Sequence, residues 1–93
     1  MNKLSKWRLK IDKINSQILD IIAKRAKITN KIGKYKKQNN IPIYDSKREK
    51  EIHKKMRREA EKKDLNKEFV RKLFDSILIQ AKKEMMKNAR KCN

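Results

Sequence analysis

LSKWRLKIDKINSQILDIIAKRAKITNKIGKYKKQ, residues 4–38, places apolar side chains at Leu4, Trp7, Ile11, Ile14, Ile18, Ile21, Ile28, Ile32 and Tyr35. The steps alternate between three and four, the spacing of one stripe along an α-helix. Leu9, Leu19 and Ile22 widen that stripe. One beat is missing, because the seam position between Ile21 and Ile28 holds Arg25. A cation set into an apolar seam is costly to bury unless an anion meets it there. Arg25 is therefore the first candidate functional residue.

Outward from this stretch the chain continues as helix. Asn39-Asn40-Ile41-Pro42 ends the first segment, since the residue before a proline is pushed out of the α region. A second segment starts near Asp45-Ser46, where Ser46 and Glu49 have capping-box spacing and Asp45 is the alternative cap. It carries Ile52, Met56 and Ala60 on one narrow face among charges. Asp64 and Asn66 mark the next break and cap. The third segment has its stripe at Val70, Leu73, Phe74, Ile77, Leu78, Ala81 and Met85, with Phe69 at the edge. With Gly33 and Pro42 the only Gly and Pro, the fold class is all-α. The expectation is one domain over residues 1–93 with helices at about 4–38, 46–63 and 66–88. Ser5 is the expected first cap, Trp7 and Tyr35 are expected in the core, and Met85 and Met86 are expected to pack. Gly33 interrupts a good helix at a cost of ~1 kcal/mol, which points to a close approach by another backbone or by a ligand.

The formal charge is +18, and 43% of residues are charged. That balance suits an anionic partner, and a basic helical nucleic-acid-binding protein is the alternative reading. Against it, the lysines are spread over every segment and no recognition-helix pattern stands out. Cys92 is the single cysteine, so no intrachain disulfide forms. The N-terminus has no apolar core of a signal peptide, and no apolar run spans a bilayer, so a soluble, cytoplasmic protein is expected. His53 has no Cys or His companion at metal spacing and reads as a surface residue, so neither metal nor cofactor is expected.

A helix of about 34 residues is about 50 Å long, more than two shorter helices cover easily. An antiparallel second copy would cover its seam, so a homodimer is expected. Arg25 and Lys36 fall within ~20° of one another on the helical wheel and can bracket one small ligand. Arg8 is ~25 Å from Arg25 along the axis and cannot serve the same site within one chain. With a two-fold near Leu19, the Arg8 of the second copy lands between Arg25 and Lys36. Asp45, Arg48 and Glu49 return alongside Lys36 after the turn. The result is a mostly cationic pocket with one or two carboxylates, suited to a small dianion bearing a hydroxyl.

The linked set Leu4-x-x-Trp7-Arg8-x-x-Ile11-Asp12-x-Ile14, Ile18-Leu19-x-x-Ile22-Ala23-Lys24-Arg25, Ile32-Gly33-x-x-Lys36 and Ile41-Pro42-Ile43-x-Asp45-x-x-Arg48-Glu49 resembles the AroQ class of chorismate mutases, the all-helical type. The resemblance implies three helices in an intertwined homodimer that converts chorismate to prephenate, the step leading to phenylalanine and tyrosine. It implies that Arg8, given across the dimer, and Arg25 hold substrate carboxylates. Lys36 then bonds the ether oxygen, with Asp45, Arg48 and Glu49 near the substrate and Glu49 accepting from its hydroxyl. The family usually has a small polar residue on the third helix, followed four positions on by Gln or Glu. Those positions here hold Ala81 and Met85, while Gln80 and Glu84 have the right mutual spacing one residue early. An isochorismate-pyruvate lyase on the same scaffold, or a plain dimerisation module, is the remaining alternative.

Overall fold

The computed structural model describes residues 2–91, with side chains to residue 87. The element order is α1 (Lys3–Gln38), α2 (Ser46–Lys62) and α3 (Lys67–Lys91), with no strand among the described residues. None of these helices is long and apolar enough to cross a membrane. α3 is the common partner: it packs on α1 and on α2, and those two do not pack on each other.

Short side chains fix the helix ends. α1 starts one turn before the expected cap at Ser5, because the Asn2 carboxamide oxygen accepts from the Ser5 N–H at 2.8 Å. At its far end Asn40 adopts φ 54°, and the Ile41 N–H bonds back to the Lys36 carbonyl at 2.8 Å. This left-handed closure stops the helix before Pro42 could act, and Asn tolerates that conformation better than most residues. α2 is capped by Asp45, whose carboxylate accepts from the Arg48 N–H at 3.0 Å. The Glu49 N–H that a Ser46–Glu49 capping box would use donates instead to the Asp45 carbonyl at 3.1 Å, so Ser46 is helical and the Glu49 side chain is left for other work. Asp64 repeats the left-handed closure at φ 54°, and Asn66 caps α3 through the Phe69 N–H at 2.8 Å.

The buried core is small and belongs mostly to α3: Val70, Leu78, Ala81 and Met85, with Ala60 from α2. From α1 only Gly33 is buried. The glycine has a specific reason. A Cβ built there would lie 2.8 Å from Met85 Cγ and 3.3 Å from Met85 Cα, so α3 crosses where α1 has no side chain.

The face of α1 that meets α3 is not its apolar stripe. Residues 6–24 are all exposed, and covering begins at Arg25 and Ala26, then continues at Thr29, Asn30, Gly33, Lys36 and Lys37. Trp7 and Tyr35 are 58% and 59% exposed, so neither is core within the chain. The reason is reach: α3 lies over the C-terminal part of α1, mainly on its small and polar side, and leaves the isoleucines before residue 25 bare. Met86 is also exposed rather than packed. The molecule is correspondingly drawn out, with a radius of gyration of 16.9 Å against about 12 Å for a compact chain of this length.

Candidate active site

The three helices converge on a cavity of about 140 Å³ beside the α1–α2 turn. α1 contributes Arg25, Thr29, Ile32 and Lys36 to its wall; the turn contributes Ile43 and Asp45. α2 adds Arg48, Glu49 and Ile52, and α3 adds Leu78, Ala81, Lys82 and Met85. Four cationic side chains and two carboxylates thus face one space, a formal surplus of two positive charges. The surplus matches a dianion, and the isoleucines, Leu78 and Met85 supply apolar wall against its carbon skeleton.

Each charged group has a structural reason for its position. Arg25 and Lys36 fall on the same flank of α1, and both are half-buried. The Lys36 ammonium donates to the Ile43 carbonyl at 3.1 Å, which ties the turn to the helix and holds the lysine tip at the cavity. Asp45 lines the cavity while capping α2. Arg48 lies 3.5 Å from Glu51 along the solvent side and stays exposed. Glu49 turns inward and meets Lys82 of α3 at 3.1 Å, with the two side chains only 25% and 28% exposed.

Arg8 is exposed on the bare half of α1 and does not line this cavity. On α3 the register does not shift to bring polar groups inward. Ala81 and Met85 are buried in the wall, while Gln80 donates to Glu84 at 3.2 Å on the outer side. Neither Gln80 nor Glu84 lines the cavity, and both are about 100° round the helix from Ala81 and Met85. The sequence reading also missed Lys82. One lysine among so many carries no signal by itself, and its cue is a partner on another helix.

His53 is not the surface residue its neighbours suggested. It is half-buried and reaches Asp75 of α3 at 2.9 Å, which fastens α2 to α3. A larger groove of about 590 Å³ opens beside it. Its charges are largely matched on the spot, Arg71 with Glu68 and Asp75, and Lys67 with Glu61. The Glu68 hydrogen bond raises the Arg71 pKa further, and the Arg71 hydrogen bond lowers that of Glu68. The smaller cavity, with cations from all three helices, is the better anion site. Among the described residues no group of three or more His, Cys, Asp or Glu side chains could hold a metal ion.

The family model for chorismate mutase type II matches residues 7–87, which takes in all three helices and the whole cavity wall. The chain belongs to the chorismate mutase type II family. The chorismate mutase of Methanocaldococcus jannaschii is 34% identical over 87 residues, 94% of this chain and 87% of that one. A conserved hypothetical protein from Pyrococcus furiosus has the same fold, with a TM-score of 0.71 and 36% identity over 91% of this chain and 97% of that one. A 4-amino-4-deoxychorismate mutase of Streptomyces pristinaespiralis is 27% identical over 83% of this chain and 60% of its own length. The chain spans only about a fifth of the bifunctional chorismate mutase/prephenate dehydratases that it also matches. Membership of the family makes this chain an enzyme with chorismate mutase activity, an isomerase. Within this chorismate mutase fold, α3 lines the cavity with Leu78, Ala81, Lys82 and Met85.

Proposed function

We propose that the protein, acting as one domain, rearranges chorismate to prephenate in a cavity completed by a second copy, in the cytoplasm and on the route to phenylalanine and tyrosine. The observation that carries this is the surplus of cations around one small, partly apolar cavity, built from three helices of a chorismate mutase type II chain.

The reaction is a unimolecular [3,3] shift, with no nucleophile, metal or proton transfer in its mechanism. The protein must fold an extended dianion into a compact chair-like shape. Arg25 holds one carboxylate, and the planar fork of a guanidinium suits that task. Arg8 of the second copy holds the other. Lys36 stabilises the negative charge that grows on the ether oxygen as the C–O bond breaks. Its tether to the Ile43 carbonyl keeps the ammonium in place beforehand, so little reorganisation is needed at the moment of reaction. Asp45, Arg48 and Glu49 surround the hydroxyl end, and Glu49 accepts from that hydroxyl. Met85 stands where a second ether-oxygen donor would be, so Lys36 carries that charge largely alone.

The bare half of α1 supports the second copy. Leu4, Trp7, Ile11, Ile14, Ile18 and Ile22 are each 44–58% exposed along one long helix. Covering a half-exposed side chain of this size contributes on the order of 1 kcal/mol, so a shared seam is strongly favoured over water. An antiparallel pairing of two such helices also carries Arg8 to the neighbour's cavity.

The deciding experiment follows chorismate with purified protein and resolves the products. Prephenate is the expected product. Release of pyruvate from isochorismate, with chorismate untouched, would move the assignment to the lyase. Salt-dependent retention on DNA with neither substrate consumed would replace the enzyme reading altogether.

A further inference from the structure

We infer that Lys82 decides which ring substituent the cavity accepts beside Glu49: a neutral hydroxyl is admitted and an ammonium is refused. The inference rests on the reading of Glu49 as acceptor of the substrate hydroxyl.

Lys82 is held from two sides. Its ammonium lies 3.1 Å from Glu49 Oε2 and 4.7 Å from the centre of the Tyr44 ring. A cation over a ring face and against a carboxylate gains from both. Ala81, the preceding residue, is buried in the cavity wall, so the helix cannot rotate Lys82 away without lifting that wall. These two contacts place the Lys82 cation at the Glu49 end of the site.

Glu49 has two oxygens, and one of them is engaged by Lys82. The other remains free to accept from a ligand. A hydroxyl gives it one hydrogen bond and brings no charge. An ammonium in the same place would share one carboxylate with Lys82, within roughly a Debye length and at low water content. Cations already outnumber carboxylates around this cavity four to two, so an added ammonium raises a surplus that Asp45 alone does not cancel. The Streptomyces relative is named for a substrate in which an amino group replaces the 4-hydroxyl. The fold therefore occurs in proteins named for either substituent, and the Lys82–Glu49 pair assigns this chain to the hydroxyl.

A plain α2–α3 clamp would look the same in the free protein, and substrate preference separates the two roles. The test measures kcat/KM for chorismate and for 4-amino-4-deoxychorismate with the wild-type protein, Lys82→Met, Lys82→Gln and Lys82→Arg. Calorimetry gives the two affinities in parallel. The wild type is expected to prefer the hydroxyl compound. Lys82→Met and Lys82→Gln are expected to shift the ratio toward the amino compound by about tenfold or more. Lys82→Arg keeps the wild-type ratio. Lys82→Gln retains a hydrogen bond to Glu49 without the charge, so it decides the matter if Lys82→Met fails to fold. An unchanged ratio, a parallel loss for both compounds, or a wild type that prefers the amine would overturn the role. If no form turns over either compound, the chorismate mutase reading fails, while the ratio of affinities still tests Lys82.

Discussion

The two halves of α1 follow one apolar rhythm and meet different fates. From Arg25 onward the helix is partly covered by α3, and its cations reach a cavity. From residue 6 to residue 24 every side chain is exposed, although the isoleucines continue at the same spacing. The covered half meets α3 at Gly33, where α3 comes close enough to leave no space for a Cβ. The bare half has larger side chains and nothing against them. The proposed pairing with a second copy would use this division, with the small face turned to the chain's own α3 and the large apolar face left to the second copy. The same division explains why the cavity holds Arg25 and Lys36 but not Arg8.

The largest expected effect lies in the covered half. Replacing Lys36 by alanine removes the ammonium that Ile43 tethers at the cavity. Loss of one preorganised donor of this kind costs about 3–4 kcal/mol, so kcat should fall roughly 100–1000-fold. The fold should survive, because Lys36 is not core. Most activity surviving in Lys36→Ala, with normal helicity by circular dichroism, would falsify its place at the ether oxygen.

The bare half gives the next effect. Arg8→Ala and Lys36→Ala should each be nearly inactive alone. If every site takes Arg8 from one copy and Lys36 from the other, a mixed pair restores one intact site. Equal mixing after reversible unfolding should then recover about a quarter of wild-type activity. Recovery of none, with exchange of copies demonstrated, would mean that Arg8 and Lys36 do not meet across a pair. Arg8→Ala that keeps full activity by itself would make Arg8 an ordinary solvated arginine, in line with its exposure in the single chain.

What the sequence made legible follows from this contrast. Spacing along one helix was enough to put Arg25 and Lys36 on one flank, and the turn at Asn39–Pro42 was enough to return Asp45 and Glu49 beside them. Ala81 and Met85 followed from counting along α3. The stripe itself could not say which body covers it: an apolar rhythm looks the same whether α3 or another copy of α1 lies against it. For that reason the stripe puts Trp7 and Tyr35 in a core without saying whose, and within the single chain both are exposed. Lys82–Glu49 and His53–Asp75 were invisible for a different reason. Each is a pair between helices, and only the packing selects its partner: Lys82 and Glu49 stand among many similar charges, and the single histidine, His53, has several carboxylates to choose from.

Met85 offers a milder test of the covered half. Met85→Gln should place an amide in the cavity wall near the proposed ether oxygen. Turnover is expected to rise about tenfold, less than the full worth of an optimised donor, since α3 has not been adjusted to aim it. The free protein should lose about 1–3 kcal/mol, because the amide lacks a partner until substrate arrives. Turnover that does not rise would show that Met85 is wall and nothing more, and that no donor is missing there.

The smallest effect concerns the contact that divides the two halves, and its sign is the informative part. Alanine is a better helix former than glycine by about 1 kcal/mol, so Gly33→Ala ought to stabilise α1 if nothing stood opposite. Met85 does stand opposite, at 2.8 Å from the new Cβ at its Cγ and 3.3 Å at its Cα. The Cγ is not a free end, and the Cα moves only with α3. Overpacking of this kind costs about 1–3 kcal/mol, so the net effect should be a loss of roughly 1 kcal/mol in denaturant unfolding. In a Met85→Ala background the Cγ is gone and much of the obstruction with it. Gly33→Ala should then become neutral or stabilising, although Met85→Ala itself opens a void. A loss of equal size in both backgrounds would mean that α3 does not press on α1 through Met85, and the covered half would need another explanation for its glycine.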